Sequence, residues 1–126
     1  MKYRSHLSKA RGLGSAKSGT GHWWLQRVSA VALIPLTAWL ILMVDSSMHA
    51  SYQETVAWLT VPLNSVCIVA WILAAYYHAA LGLQVVIEDY ISGEGSKIIC
   101  VWVSNLTFLL LAVAALIAVF KIISAG

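Results

Sequence analysis

Polar residues are scarce in three long runs of this chain, residues 23–44, 62–87 and 98–123, and concentrated in a tail and two short connections between them. Each run exceeds the ~20 residues that a helix rising ~1.5 Å per residue needs to cross a hydrocarbon layer of ~30 Å. Helix is the spanning structure that satisfies its own backbone in so short a chain. The pattern therefore predicts an all-α integral membrane protein with three transmembrane helices. A basic tail over residues 1–21 precedes a three-helix anchor domain over 22–126.

Local signals punctuate these spans. Pro62 opens the second, where its missing N–H costs nothing, and Pro35 is placed to kink the first. Gly93-Glu94-Gly95-Ser96 predicts a tight turn, with Ser96 as N-cap of the third span. Ser51 and Glu54 have capping-box spacing ahead of Val56, Ala57, Trp58 and Leu59, which predicts a short surface helix in the middle loop. No repeat or low-complexity segment interrupts the pattern.

Composition agrees: 60% of the 126 residues are hydrophobic and 10% charged, beyond what one small soluble core could hide. The net charge of +3 comes from the tail, where Lys2, Arg4, Lys9, Arg11 and Lys17 precede the first span and Arg27 lies just inside it. The loop from Asp45 to Val61 has no lysine or arginine. By the positive-inside rule the N-terminus and the Glu88–Lys97 turn lie on the cytoplasmic or matrix side, and the middle loop and C-terminus on the other. Lys121 opposes this weakly and can snorkel to the outer interface. The tail, free of acidic residues, suits contact with anionic headgroups better than nucleic-acid binding. It also has the composition of a mitochondrial transit peptide, whereas the first span is too long for a secretory signal. Cys67 and Cys100 are expected near opposite membrane faces, too far apart for a disulfide, as free apolar thiols. Two cysteines offer no repeated metal-ligand pair.

The chemistry is concentrated in YYHAALGLQVVIEDYI, residues 76–91. Asp89 follows His78 by eleven positions, three helical turns plus ~20°, so both lie on one face about 16 Å apart. Ala74, Ala75, Gly82 and Val85 flank that line and admit close approach by a helix or a flat ligand. A histidine in a span can be a packing residue hydrogen-bonded across helices. An ionisable group at bilayer depth is costly, however, and marks ligand or proton paths. Neutral imidazole is a good axial ligand for haem iron. A bis-histidine haem would need its second ligand from a partner chain, because His6 and His22 belong to the inner side and His49 to the outer loop. Without Cys-x-x-Cys-His the haem would be non-covalent, of b type. Arg27 is either an anchor beside Trp23 and Trp24 or a bidentate donor to a haem propionate. Asp89 and Tyr90 are either a solvated helix end or, above a redox centre, a proton-relaying carboxylate and a phenol that donates to a quinone oxygen.

The two segments GHWWLQRVSAVALIPL, residues 21–36, and YYHAALGLQVVIEDYI closely resemble the hydrophobic membrane anchor (D) subunits of succinate dehydrogenase, respiratory complex II, of alphaproteobacterial and mitochondrial type. The resemblance extends over nearly the whole chain. It implies that His78 is an axial ligand to haem b, that Arg27 lies near the haem propionates, that Tyr90 hydrogen-bonds ubiquinone, and that Asp89 serves quinone protonation. His22 and Trp23 lie where such subunits meet the haem edge or the iron–sulfur subunit, with no role assigned. The implied partners are the cytochrome b556 (C) subunit, the iron–sulfur subunit and the flavoprotein subunit. The implied setting is the tricarboxylic acid cycle and electron transport chain of a bacterial or mitochondrial inner membrane. With neither flavin motif nor cluster cysteines, the chain is not itself the dehydrogenase. A haem-free anchor of a fumarate reductase-like complex and a small proton-coupled transporter using His78 and Asp89 are the alternatives.

Overall fold

A computed structural model of the chain describes His6 and residues 19–125. The tail lysines and arginines and most of the 1–21 segment lie outside the described residues. Four helices follow in order: α1 (Gly19–Met48), α2 (Tyr52–Leu59), α3 (Pro62–Tyr90) and α4 (Glu94–Ala125). The three long helices have the length and apolarity of membrane spans. At 30, 29 and 32 residues they are about 45 Å long, against ~30 Å of hydrocarbon. α1 and α4 exceed their apolar runs at both ends and α3 at its C-terminal end, because a helix continues into the interface, where water and headgroups accept its polar side chains.

The local signals have defined outcomes. Pro62 is the first residue of α3, with Val61 extended before it, and Pro35 lies within continuous α1. The Ser51 N–H donates to Glu54 Oε2 at 2.7 Å and the Glu54 N–H donates to Ser51 Oγ at 3.2 Å, completing the capping box of α2. Ser96 is not the N-cap of α4. That helix begins two residues earlier, at Glu94, and the Lys97 N–H already donates to the Gly93 carbonyl at 2.8 Å. Glu94 stands in the first turn, where a carboxylate complements the helix dipole. Cys67 and Cys100 are both free.

α3 is the central helix. It packs against α1 on one side and α4 on the other, whereas α1 and α4 do not touch each other among the described residues. Its Ile72, Leu81 and Ile87 are buried accordingly. On the α4 side, Tyr76 and Phe108 meet as tilted rings 6.4 Å apart. The outer faces of α1 and α4 carry exposed Val31, Ile34, Leu42, Leu106, Leu110 and Phe120. Such faces require lipid or apolar partner chains around them.

The short helix does more than lie on a surface: α2 touches all three long helices and buries Val56 and Leu59. Trp58 stacks on Trp39 of α1, with centroids 5.5 Å apart and planes 16° apart. Asn64 of α3 donates to the Trp58 carbonyl at 2.9 Å and accepts from Trp39 Nε1 at 3.4 Å. One side chain therefore ties together the outer ends of three helices.

Candidate functional site

The face of α3 that carries His78 is the one that meets α1. Trp71 Nε1 donates to Thr37 Oγ1 at 3.1 Å, His78 Nδ1 lies 2.9 Å from Ser29 Oγ, and Gly82 faces the Gln26 side chain. Trp71, His78 and Gly82 fall within about 40° on a helix at ~100° per residue. The expected close approach along the small-residue line is thus made by α1. At Gly82 the fit leaves room for a methyl group: a Cβ there would stand an ordinary 3.5 Å from Gln26 Nε2.

His78 is half-buried in this contact. Its Nδ1 is engaged by Ser29, which is only 7% exposed. Its Nε2 makes no hydrogen bond among the described residues and is not among the enclosed unpartnered atoms. It remains accessible to a group approaching from outside the chain. The other histidines stand elsewhere: His22 is near the start of α1, and His49 follows its end, with Nδ1 2.9 Å from the Asp45 carbonyl oxygen.

Toward the inner ends of α1 and α3 the helices border a cleft of about 640 Å³ lined by His22, Trp23, Gln26, Arg27, Gln84 and Glu88 among others. Two enclosed polar atoms of its lining, His22 Nε2 and Gln26 Oε1, have no hydrogen-bond partner among the described residues. Gln84 Nε2 donates to Glu88 Oε1 at 2.9 Å. Arg27 is exposed, its guanidinium carbon 5.0 Å from the centre of the Trp23 ring. Arg27 is thus paired with a belt tryptophan and also lines the cleft.

Asp89 and Tyr90 end α3 in the exposed region, Tyr90 at 84% exposure. The antiparallel register that places His78 beside Ser29 and Trp71 beside Thr37 runs out here, because eleven residues beyond His78 it reaches the very start of α1. The chain thus brings His78 and Arg27 to the same pair of helices and leaves Asp89 and Tyr90 uncovered beyond them.

Sequence reasoning assigned nothing to Ser29 and Gln26. The signal was present: they are polar residues three apart, one helical turn, among the few polar positions of a mostly apolar span. What it lacked was the partner across the helix contact.

Three spans, an ionisable residue at membrane depth between two of them and a polar cleft at one end define a helical membrane protein whose polar groups gather on one helix contact. The family model described as succinate dehydrogenase/fumarate reductase transmembrane subunit matches residues 1–120, and the chain belongs to that family. Among its relatives is the succinate dehydrogenase hydrophobic membrane anchor subunit of Rickettsia bellii, 36% identical over 118 residues and 94% of each chain. The subunit of that name from Paracoccus denitrificans is 32% identical over 97 residues, 77% of this chain and 75% of its own. The succinate dehydrogenase membrane anchor subunit of Reclinomonas americana is 33% identical over 89 residues, covering 68% and 74%. No solved structure matches the chain. A proton-coupled transporter finds no support in this family.

Proposed function

We propose that this chain is the membrane anchor subunit of a succinate:ubiquinone oxidoreductase, that His78 is one axial ligand of a haem b shared with a cytochrome b556 subunit, and that Tyr90, Asp89 and Arg27 serve the haem edge and a ubiquinone-reduction site. The carrying observation is His78 itself. It stands at membrane depth on the α1–α3 contact, its Nδ1 held and its Nε2 unpartnered among the described residues. That donor set fits iron, since neutral imidazole binds through one nitrogen while the other is held by a hydrogen bond. When bound, haem b supplies a one-electron carrier within the membrane.

The remaining groups act at the inner end. The Arg27 guanidinium presents paired N–H donors suited to a propionate. The exposed Tyr90 phenol donates to a quinone carbonyl oxygen, and the Asp89 carboxylate beside it orders water and passes protons inward from the aqueous side. Their exposure suits a site completed by partner subunits, and the apolar outer faces of α1 and α4 suit a partner anchor. Electrons would come from iron–sulfur and flavoprotein subunits on the cytoplasmic or matrix side of a bacterial or mitochondrial inner membrane.

The test is a dithionite-reduced minus oxidised spectrum of the purified complex, wild type against His78→Ala. A b-type band lost or displaced in the variant is the expected result. A wild-type complex that assembles without haem would refute the haem assignment.

A further inference from the structure

We infer that Ser29 is the positioning residue of His78: its hydroxyl fixes which imidazole nitrogen carries the proton and so presents Nε2 as a bare lone pair. The inference rests on the reading of His78 as a haem ligand, and goes beyond it by naming what holds the ligand.

Ser29 Oγ has two polar neighbours, the carbonyl oxygen of Gln26 one turn back in α1 at 3.0 Å and His78 Nδ1 at 2.9 Å. A serine hydroxyl has one proton to give. If that proton went to Nδ1, the Oγ lone pairs would face the lone pairs of the Gln26 carbonyl at 3.0 Å with no hydrogen between them. The proton on Nε2 would then be a donor without an acceptor among the described residues. If the hydroxyl instead donates to the Gln26 carbonyl, Oγ accepts from Nδ1–H and every contact is satisfied. The resulting chain runs from Nδ1–H to the Ser29 hydroxyl to the Gln26 carbonyl. It leaves Nε2 as the acceptor, the state in which an imidazole binds iron.

Burial makes this arrangement firm. Ser29 is 7% exposed, away from water that could replace it, and its two partners lie on α1 and α3, whose register is held two turns along by the Trp71–Thr37 hydrogen bond. A hydrogen bond accepted from Nδ1–H orients the ring and increases electron donation from the opposite nitrogen. Its loss should weaken that donation and favour the reduced, more electron-rich iron.

The experiment compares the purified wild-type complex with Ser29→Ala, Ser29→Cys and Ser29→Thr by optical redox titration and by the low-spin electron paramagnetic resonance signal. Ser29→Ala should move the haem midpoint to more positive potential and displace the low-spin signal. Ser29→Cys, close to serine in size but a weak acceptor, should move both in the same direction, and it gives the answer if the alanine variant does not assemble. Ser29→Thr, which keeps the hydroxyl, should remain close to wild type. An unchanged midpoint and signal in Ser29→Ala or Ser29→Cys would overturn the inference while leaving His78 as ligand. Retention of the wild-type signal in His78→Ala would instead overturn the ligand reading, and the Ser29 inference with it.

Discussion

Trp71 and Thr37 are joined across the α1–α3 contact by a 3.1 Å hydrogen bond from the indole N–H, seven residues, or two turns, from His78 on the same face. Seven residues return a helix to within about 20° of its starting direction, so this bond sets the rotation of α3 that points His78 at Ser29. Trp71→Phe keeps most of the ring and loses the donor. We expect about 0.6 kcal/mol of destabilisation, typical of interhelical hydrogen bonds in membranes, seen as a small drop in the detergent-unfolding midpoint of the complex. No drop would mean that packing alone sets the rotation.

Gly82 tests the closeness of the same contact. A Cβ there meets Gln26 Nε2 at an ordinary 3.5 Å, so Gly82→Ala should assemble normally. Gly82→Leu must displace Gln26 or part the helices, at a cost of about 1–3 kcal/mol, and should lower the thermal retention of the complex. Equal retention of the two variants would show that α1 and α3 yield easily.

The capping box of α2 makes a pH prediction. The Ser51 backbone N–H and then its side chain hold the Glu54 carboxyl below its ordinary value of 4.5. The folded value is the lower one, so the cap's contribution is complete above about 4.5 and is lost as pH falls through the folded value. Hydrogen exchange of Tyr52–Leu59, corrected for intrinsic rates, should show protection falling over that range. In Glu54→Gln it should be lower throughout and flat.

Tyr90→Phe removes a donor from the uncovered end of α3. Succinate-to-quinone activity should fall about tenfold or more, the worth of one hydrogen bond to an oxygen gaining charge. Reduction of an artificial soluble acceptor by succinate should persist. Equal loss of both activities would remove the quinone role.

Arg27→Ala removes the cation of the inner cleft. A positive charge favours the reduced haem, so the midpoint should become more negative, or haem should be retained less well on purification. Arg27→Lys should restore part of the effect, since it keeps the charge without the paired donors. An unchanged titration in Arg27→Ala would leave Arg27 as a partner of Trp23 alone.

The capping box of Ser51 and Glu54, the placement of Pro62 and the shared face of His78 and Asp89 were legible in the sequence because each depends on residues within a few turns of one another. The failure at Ser96 was also local: glycines on either side of Glu94 suggested a longer turn than the chain makes, and Gly93 supplies the first helical carbonyl itself. Ser29 and Gln26 were not legible as members of the site, since each reads as an isolated polar residue until α3 is placed beside it.

By itself the sequence determined three membrane-spanning helices and their order, because a backbone in hydrocarbon must bond within its own segment and an apolar run of sufficient length leaves no alternative. Only the tertiary structure decided that α3 is central, that its histidine face meets α1, that Ser29 holds Nδ1 and that Tyr90 is left uncovered. Those outcomes depend on how side chains far apart in the chain fit together in the helix contacts, and apolar runs with no strong facial bias do not encode that fit.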